Sequence, residues 1–557
     1  MNSETRNCKN CSQAFIIEPD DFSFYEKMQV PAPAICPDCR FRRRAPFRNE
    51  ISLYSRKCGL CGKALVSCYN PKTPYKIYCE SCWESDKWDA YSFGKSYDDS
   101  RPFFEQLGEL MQRVPKKATI ISTSSKLGPN VRSEYTNYAG GNKDSYMIFN
   151  AGGNENVMYS RGTAFSRDTL DGYQGVQLER CYEVINVNES TAVQFGQNTV
   201  GSFDAAFVLN LSGCQDCFGC VNLRNKSHHF LNEPLPKDEY ERRTGEIRGS
   251  YSKMEKFRKE FEAFSLKFPR RENSNLKSVG VEGDYLFESK NVRNSFETTR
   301  CEDGKFLFSV KLNRDSYDLI GFGYDSELLL GCVAAGYSNR VIGGFWVENC
   351  QNVEYSAQTR SSTWCLGCDG IKSGKYVILN QRYGEEEFHK LRDRIVKELK
   401  ERDEYGLMMP PALSPFAYNE SVGQEIWPLT RESAIAEGLR WEDDLQMTKG
   451  KGTLNAEKIP DHIDDVPDSI VSEVLTCTGC DRNYRITGAE LQFYRKAILP
   501  IPRQCFYCRH ADRIRRRGPM KLFDRNCDNC KKAIRTTYVP NRPEIVYCES
   551  CYQKEVI

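Results

Sequence analysis

Short apolar segments recur through the middle of the chain at a nearly constant step, and Gly, Asn and Ser fill the positions between them. In the first stretch the steps are 12, 12, 12, 11, 12, 13 and 11 residues, counted on Tyr146, Met158, Leu170, Tyr182, Val193, Ala205, Phe218 and His229. In the second stretch they are 11, 10, 11, 12, 12, 12, 11 and 12 residues, counted on Tyr285, Phe296, Phe306, Tyr317, Leu329, Val341, Val353, Trp364 and Tyr376. A fixed period of this kind predicts a repeat architecture.

Each repeat is too short for a pair of helices, but it has room for one short strand and a turn in which Asn or Gly adopts left-handed backbone. Two repeats would make a coil of roughly 23 residues in a parallel β-solenoid. The same spacing also suits antiparallel hairpins. We predict a mainly β protein with two solenoid-like domains, residues 118–235 and 276–383. The second domain repeats the first, because the motif C-F-G-C at 217–220 lies 148 residues before C-L-G-C at 365–368.

Three segments around these domains carry apolar residues at helical spacing. Residues 96–117 predict a linker helix that follows Pro102 and stops at Pro115. Residues 236–270 and 384–404 predict amphipathic helices, with apolar stripes formed by Met254, Phe257, Phe261, Phe264 and Phe268 and by Phe388, Leu391, Ile395 and Leu399. We expect these two helices to cover the exposed ends of the solenoids. The alternative is a coiled-coil surface for a partner.

Residues 405–470 contain six prolines, and we predict an extended connector there with one short helix from Arg431 to Glu437. The connector leads to a C-terminal module, residues 471–557, which matches an N-terminal module, residues 1–95.

The cysteines of these two terminal modules follow one spacing. The N-terminal set is Cys8, Cys11, Cys36, Cys39, Cys58, Cys61, Cys79 and Cys82, and the C-terminal set is Cys477, Cys480, Cys505, Cys508, Cys527, Cys530, Cys548 and Cys551. Each member of the second set lies 469 residues after its counterpart in the first. In a reducing compartment such C-x2-C pairs indicate metal ligands rather than disulfides.

Two C-x2-C pairs complete a closed tetrahedral zinc site, which is typical of structural rather than catalytic zinc. We therefore predict four structural zinc ions per chain. Sequential pairing joins the first pair with the second and the third with the fourth, while an interleaved arrangement would join the first with the third. Both alternatives use the same sixteen ligands.

Ten of the 26 cysteines lie outside these sets. Five of them, Cys214, Cys217, Cys220, Cys365 and Cys368, fall inside predicted solenoid repeats. Buried apolar thiols are the favoured interpretation of these five. An additional metal site is the alternative.

Length and charge limit the function classes. A chain of 557 residues predicts three to five domains. No stretch reads as a secretion signal or a membrane span, so we expect a cytoplasmic protein without a membrane partner. The formal net charge of +2 counts thiols as neutral, and four Zn²⁺ ions bound to four thiolates each would bring it to −6. The molecule as a whole is therefore not a basic, nucleic-acid-coating protein.

The terminal modules resemble a known family. The order C-x2-C, an aromatic residue, a short helix containing Phe-Tyr, a proline-containing segment and C-x2-C-R followed by basic residues resembles a zinc-ribbon domain of treble-clef type. Cys477 to Arg517 carries this pattern best, and Cys8 to Arg44 carries it more loosely. The whole chain is similar to long multi-zinc-ribbon proteins of uncultivated small-genome bacteria, a family with no assigned activity. The resemblance implies zinc binding and a fold, and it implies no reaction.

A basic cluster follows the second cysteine pair of each module, with a net charge of +5 in residues 36–57 and +8 in residues 503–535. Its candidate nucleic-acid-binding residues are Arg40, Arg42, Arg43, Arg44, Arg509, Arg513, Arg515, Arg516 and Arg517. Interleaved aromatic residues, Phe41, Phe47, Phe506 and Tyr507, would stack on bases. The alternatives are that the arginines balance the charge of the zinc–thiolate sites or contact an acidic protein.

These observations support three functional hypotheses. The first is a non-enzymatic zinc-binding scaffold whose basic heads bind nucleic acid or a ribonucleoprotein. The second is a structural or protein-interaction protein in which zinc is purely structural. The third is a carbohydrate-active β-helix enzyme, which rests on fold analogy alone and for which the sequence offers no identifiable catalytic residues.

Overall fold

The computed structural model describes residues 2–120, 127–445 and 447–556. Its N-terminal cysteine module is built from two short antiparallel hairpins, each followed by a helix. The elements of this module and of the linker are β1 (Glu4–Asn7), β2 (Ala14–Ile17), α1 (Pro19–Met28), α2 (Pro37–Arg44), β3 (Tyr54–Lys57), β4 (Ala64–Ser67), β5 (Ile77–Tyr78), α3 (Glu80–Trp83), α4 (Phe103–Arg113) and β6 (Lys116–Lys117). Helix α4 is the linker helix predicted after Pro102, and it buries Phe103, Phe104, Leu107, Leu110 and Met111.

The first repeat region forms a curled parallel sheet. Its strands are β7 (Tyr146–Phe149), β8 (Met158–Ala164), β9 (Leu170–Glu179), β10 (Tyr182–Thr191), β11 (Gln194–Gln197), β12 (Ala206–Leu209), β13 (Gln215–Phe218), β14 (Ser227–Phe230) and β15 (Glu233–Pro234). The parallel pairings join residues 12 apart, as in Tyr146 with Met158 and Tyr182 with Gln194. One repeat, rather than two, therefore separates hydrogen-bonded neighbours, and the expected coil of about 23 residues is wrong.

Left-handed backbone recurs at every third residue of this sheet, for example at Tyr159, Gly162, Phe165 and Asp168. Such a residue changes the direction of the chain, so each straight segment is only three residues long. Isolated parallel bridges continue the 12-residue pairing between the strands, as in Gly140 with Gly152. Because turns come so often, the sequence pattern predicted the period of the sheet but not the frequency of its corners.

The interior of the sheet is narrow and holds small side chains. Val193, Ala205 and Cys217 lie 12 residues apart and are fully buried. A neighbouring row carries hydroxyl groups, and Ser202 Oγ accepts the backbone N–H of Cys214 at 3.2 Å while Ser190 Oγ accepts that of Ser202 at 3.2 Å. These bonds satisfy amides that would otherwise be buried without a partner, which explains the Asn- and Ser-rich composition of the repeats.

Two helices and a short strand follow the first sheet: α5 (Lys237–Gly245), α6 (Tyr251–Ser265) and β16 (Arg270–Arg271). The apolar stripe predicted for α6 is buried at Met254 and Phe257. Phe257 contacts Phe207, Phe218 and Phe230, which lie in successive strands, so this helix lies along the outer side of the sheet. The last parallel strand, β14, pairs with the antiparallel β15.

The second repeat region forms a similar sheet. Its strands are β17 (Gly283–Phe287), β18 (Lys290–Arg293), β19 (Ser295–Phe322), β20 (Ser326–Leu330), β21 (Val333–Gly336), β22 (Asn339–Ile342), β23 (Phe345–Glu348), β24 (Gln351–Glu354), β25 (Ala357–Arg360), β26 (Thr363–Leu366), β27 (Lys375–Ile378) and β28 (Gln381–Arg382). The pairing step is again 12 residues, except that Tyr317 pairs with Leu330 across a 13-residue step. One additional residue is accommodated in the turn between β19 and β20.

Helix α7 (Glu385–Glu401) follows the second sheet and buries all four residues of its predicted stripe. The connector then contains α8 (Val422–Ile426) and α9 (Arg431–Ala436), the second of which matches the predicted short helix. Short 3₁₀ helices lie at Ala45–Phe47, Ala90–Phe93, Pro411–Leu413, Tyr418–Glu420, Ala456–Lys458, Ile463–Asp465 and Asp468–Ser472.

The C-terminal cysteine module repeats the order of the N-terminal one. Its elements are β29 (Leu475–Thr476), β30 (Asn483–Tyr484), α10 (Gly488–Lys496), α11 (Phe506–Arg517), β31 (Phe523–Asn526), β32 (Ala533–Thr536), β33 (Val546–Tyr547) and α12 (Glu549–Val556). Thr487 and Glu490 form the capping box that opens α10, whereas α1 begins at Pro19.

The chain divides into two compact units that each combine distant parts of the sequence. One contains residues 1–119, 273–445 and 520–522, and the other contains residues 120–272, 446–519 and 523–557. The N-terminal cysteine module therefore belongs with the second sheet, and the C-terminal module belongs with the first. Neither partnership follows the order of the chain.

Candidate metal centres and the arginine contacts beside them

The sixteen predicted metal ligands lie in four groups of four. In each group all the sulfur atoms are within 4.8 Å of one another, and the groups are Cys8, Cys11, Cys36 and Cys39; Cys58, Cys61, Cys79 and Cys82; Cys477, Cys480, Cys505 and Cys508; and Cys527, Cys530, Cys548 and Cys551. We name each site after its first cysteine. The pairing is sequential, so the interleaved alternative is wrong.

Local backbone positions these sulfur atoms in the same way at each site. The first pair of the Cys8 site lies in the hairpin between β1 and β2, where Ser12 has left-handed backbone. The second pair lies at the N-terminus of α2, where Cys36 is the N-cap residue. A hairpin tip and a helix N-terminus both leave backbone N–H groups pointing at the site, which favours negatively charged sulfur.

Backbone amides donate to one cysteine of each site across the two pairs. The N–H of Cys36 donates to Cys8 Sγ at 3.2 Å, and that of Cys79 donates to Cys58 Sγ at 3.3 Å. Cys505 and Cys548 donate to Cys477 and Cys527 at 3.2 Å, as a list of equivalents. Burial raises the pKa of the Cys8 thiol, but these backbone hydrogen bonds outweigh it and bring the pKa to about 6. The sites are therefore suited to thiolate ligands.

The donor set is four sulfurs at each site, with no histidine or carboxylate in any group found among the described residues. Four thiolates fill a tetrahedral coordination sphere and leave no position for water or substrate. Each site can therefore hold one metal ion in a closed, structural coordination.

The cysteines inside the sheets are separate from these sites. Cys214, Cys217, Cys220, Cys365 and Cys368 are buried. Their Sγ atoms lie close to backbone carbonyl oxygens, as in Cys220 Sγ to His229 O at 3.4 Å and Cys368 Sγ to Val377 O at 3.4 Å. In the parts of the chain that the structure describes, none of the five belongs to a candidate metal group. The observed contacts match the buried-thiol interpretation.

The arginines that follow Cys39 point into the second sheet. Arg40 Nε donates to Asp318 Oδ2 at 2.7 Å and Arg44 Nη1 donates to Asp318 Oδ1 at 2.8 Å. The three side chains are only 5%, 1% and 3% exposed. Burial disfavours the charge on Arg40, but Asp318 outweighs burial and raises the pKa of this guanidinium above its usual value. Two buried cations therefore share one buried carboxylate.

The C-terminal module repeats this arrangement on the first sheet. Arg509 Nε donates to Asp171 Oδ2 at 3.0 Å, and Arg513 Nη1 lies 2.9 Å from Asp171 Oδ1. Arg509 and Arg513 correspond to Arg40 and Arg44 at the constant step of 469 residues. Here Glu183 adds a second carboxylate, 2.8 Å from Arg513 Nη1. Because the two ion-pair clusters are equivalent, they are a repeated part of the fold.

The candidate nucleic-acid residues are thus mostly inside the protein. Arg40, Arg44, Arg509, Arg513 and Arg517 are buried, so the prediction that these five offer charge to a nucleic acid is wrong. Of the others, Arg42 pairs with Glu437, Arg43 donates to Met408 O, and Arg516 pairs with Asp512 and Glu183. Arg515 is 73% exposed and pairs with Asp512.

The aromatic residues proposed to stack on bases are also largely unavailable. Phe41 and Phe47 are buried, and Phe41 packs against Phe308 and Trp427 with ring centroids 4.6 and 4.3 Å apart. Phe506 is buried and packs against Phe149 and Tyr159. Packing on the sheets, rather than base stacking, accounts for these aromatic side chains.

Sequence reasoning missed several contacts between the modules and the sheets. Lys305, on the second sheet, donates to Glu18 at 2.6 Å and to Asp21 at 2.9 Å, at the start of α1. Tyr159, on the first sheet, donates to Glu490 of the α10 capping box at 2.8 Å. The capping carboxylates therefore have two roles, but only the helix-capping role has a local sequence signature.

The second half of each module is joined to its unit by parallel strand pairing. In one unit β5 pairs with β6, and in the other β16 pairs with β33. Lys116 of β6 is buried and forms an ion pair with the buried Asp369. Burial raises the pKa of Asp369 from 3.8 to about 6, and Lys116 only partly opposes this shift.

Comparison with known proteins gives little further information. No protein-family model matches the chain, and no curated protein matches it. Among solved structures, a putative acetyltransferase from Desulfovibrio desulfuricans G20 is similar over 47% of this chain and 68% of its own, with 8% identity and a TM-score of 0.12. A UDP-N-acetylglucosamine acyltransferase from Campylobacter jejuni is similar over 48% and 94%, with 11% identity and a TM-score of 0.09. At these TM-scores we draw no conclusion from either likeness.

Across the ranges 2–120, 127–445 and 447–556, no helix has the length and the apolar content needed to cross a membrane.

Proposed function

We propose that this protein is a non-enzymatic structural scaffold. Each curled sheet is a β-solenoid body, and a double zinc-ribbon head of treble-clef type is fixed to its side. The four cysteine sites bind Zn²⁺, and the zinc is structural. The helices α5, α6 and α7 protect the solenoids, and the protein acts by presenting these rigid bodies to a protein partner.

The observation that carries this proposal is the repeated arginine–aspartate cluster, Arg40 and Arg44 on Asp318 and Arg509 and Arg513 on Asp171. The first arginine of each cluster directly follows a zinc ligand, Cys39 or Cys508. Metal binding fixes the first turn of α2 and of α11, and the arginines on that helix then reach the carboxylate. Zinc binding and attachment of the head are therefore coupled, and folding free energy of zinc sites, about 10 to 16 kcal/mol in zinc-finger peptides, stabilises the attachment.

The closed ligand set supports a structural role for the metal. A catalytic zinc site keeps a coordination position for water, while four cysteine ligands leave none. Charge also supports the proposal. Burying guanidinium groups without counter-ions is strongly unfavourable, and here carboxylates of the sheet and the nearby zinc–thiolate groups provide the compensating charge. The basic residues are thus explained without a nucleic acid.

The test is to remove the metal and follow the attachment. Metal analysis of the full chain should give four zinc ions per chain. After zinc is removed with a chelator, limited proteolysis should cut in or beside α2 and α11 while the sheets resist longer, and returning zinc should restore protection. If the metal-free chain were protected at α2 and α11 as well as the zinc-loaded chain, the coupling would be refuted.

A mobility-shift assay separates this proposal from nucleic-acid binding. We expect neither RNA nor DNA to bind the full chain with the steep salt dependence of phosphate recognition. The variant Arg515→Ser removes the most exposed arginine of the candidate set and leaves the buried clusters intact. Salt-dependent binding that is lost in this variant would overturn the assignment of the arginines to the fold.

A further inference from the structure

The Cys8 and Cys477 sites are copies of one another, but the surroundings of one ligand differ between them. In the Cys8 site, Asn10 Nδ2 donates to Cys39 Sγ at 3.2 Å, and Arg42 Nη2 donates to the same sulfur at 3.6 Å. Cys39 itself is buried, with 3% exposure. This ligand therefore has two side-chain donors and little access to solvent.

The equivalent ligand of the Cys477 site is Cys508, at the constant step of 469 residues. Gly479 stands where the N-terminal copy has Asn10, and Ala511 stands where it has Arg42. Within the described contacts, Cys508 Sγ has no hydrogen bond from a side-chain nitrogen, and Cys508 is partly exposed. A Cβ atom on Gly479 would lie 3.1 Å from Cys508 Sγ, so the backbone passes close to this sulfur without providing a side-chain donor.

Hydrogen bonds and a nearby positive charge stabilise the negative charge of a thiolate and make it a weaker nucleophile, and groups around the ligands tune a metal site in this way. Cys39 has both forms of stabilisation, and Cys508 has neither. Attack on a ligand also requires access, which Cys508 has and Cys39 lacks. Both differences act in the same direction.

We propose that Cys508 is a site of modification by soft electrophiles, and that its alkylation releases the metal of the Cys477 site before that of the Cys8 site. With an alkyl halide, the sulfur lone pair attacks carbon, the S–C bond forms, the carbon–halogen bond breaks and halide leaves with the bonding electrons. The sulfur becomes a neutral thioether, which is a poorer zinc ligand than a thiolate. Arg509 follows Cys508 directly, so the loss of the metal weakens the ion pair between Arg509 and Asp171. This inference rests on the proposal that the sites hold zinc.

The test treats the zinc-loaded full chain with limiting iodoacetamide. Peptide mass spectrometry measures the carbamidomethylation of Cys39 and Cys508, and a chromophoric chelator records zinc release at the same time points. We expect Cys508 to be modified at least about tenfold faster than Cys39, with zinc release following the modification of Cys508. Equal rates, or faster modification of Cys39, would overturn the inference.

Two variants exchange the surroundings of the two ligands. Asn10→Gly removes a donor from Cys39 and should speed its alkylation, while Ala511→Arg introduces the missing donor beside Cys508 and should slow its alkylation. Rates that do not move in either variant would contradict the hydrogen-bond argument even if Cys508 reacted first. Failure of the zinc proposal is distinguishable, because it would appear as fewer than four zinc ions in the untreated chain, whatever the order of alkylation.

Discussion

The ion pairs of Asp318 give the sharpest prediction about stability. The change is Asp318→Asn, which keeps the shape of the side chain and removes its charge. Two guanidinium groups, Arg40 and Arg44, then lose their shared carboxylate while they remain buried, with N···O distances of 2.7 and 2.8 Å in the unmodified chain. Breaking a buried ion pair by removing one partner costs about 3 to 5 kcal/mol.

The first sheet provides a matched comparison. In Asp171→Asn, Arg513 keeps a carboxylate partner, because Glu183 Oε1 lies 2.8 Å from its Nη1. The position equivalent to Glu183 in the second sheet is occupied by an apolar residue, Leu330, so Asp318 has no such substitute. We therefore expect Asp171→Asn to cost about 1 to 3 kcal/mol, the range for one hydrogen bond to a charged group.

Hydrogen exchange measured by mass spectrometry on peptides that cover α2 and α11 is the assay. A loss of about 3 to 5 kcal/mol lowers amide protection about 100-fold to 5,000-fold, since 1.36 kcal/mol corresponds to a factor of ten. Asp315→Asn is the control, because Asp315 pairs at 3.1 Å with Lys27, which is 51% exposed, and such pairs contribute little. If α2 in Asp318→Asn kept its protection within about threefold of the control, the reasoning that the ion pairs fix the head to the sheet would be refuted.

Three further predictions concern the sheets and the buried lysine. Ser202→Ala removes the acceptor for the N–H of Cys214 and should lower stability by about 1 to 3 kcal/mol in chemical denaturation; an unchanged midpoint would contradict the role of the hydroxyl row. Gly283→Ala should lower the melting temperature and the soluble yield, because Gly283 has φ 149° and a Cβ there would lie 1.8 Å from Ser295 O, whereas Gly336→Ala, with open space at its Cβ position, should behave like the unmodified chain. The carboxyl of Asp369 should titrate near pH 6 in a ¹³C NMR titration, and because its pKa is raised from 3.8 on folding, the stability that it contributes is full below about pH 4 and is lost as the pH rises through about 6; a titration near 3.8 would show that this carboxyl is not desolvated.

Local patterns in the chain predicted the candidate metal centres almost completely. The C-x2-C spacing of Cys8, Cys11, Cys36 and Cys39 is enough because each pair forms within one tight turn, and the ligand chemistry depends on four sulfur atoms alone. The same is true of helix starts, such as Thr487 and Pro19, whose capping residues are adjacent in sequence. The ten other cysteines could not be assigned with equal certainty, because burial inside a sheet leaves no comparable local spacing.

The repeat period of the sheets was readable from the sequence, but the path of the chain was not. Val193 and Ala205 were used as strand anchors, while the residues that pair with Tyr182 in register are Gln194 and Ala206. A 12-residue period fits either one strand or four short sides per repeat. Left-handed residues such as Tyr159 and Phe165 decide in favour of frequent corners, and few sequence rules predict that conformation for aromatic residues.

What the sequence alone determined is therefore the local chemistry: the sixteen sulfur ligands, the duplicated modules, the period of the repeats and the apolar faces of the helices. What only the tertiary structure decided is the use of the arginines. Arg44 and Asp318 are 274 residues apart, and no local pattern distinguishes an arginine that will be buried against a carboxylate from one that will face solvent. The physical reason is that an isolated positive charge prefers water, and only the packing of a whole module on a sheet brings the compensating negative charge to it.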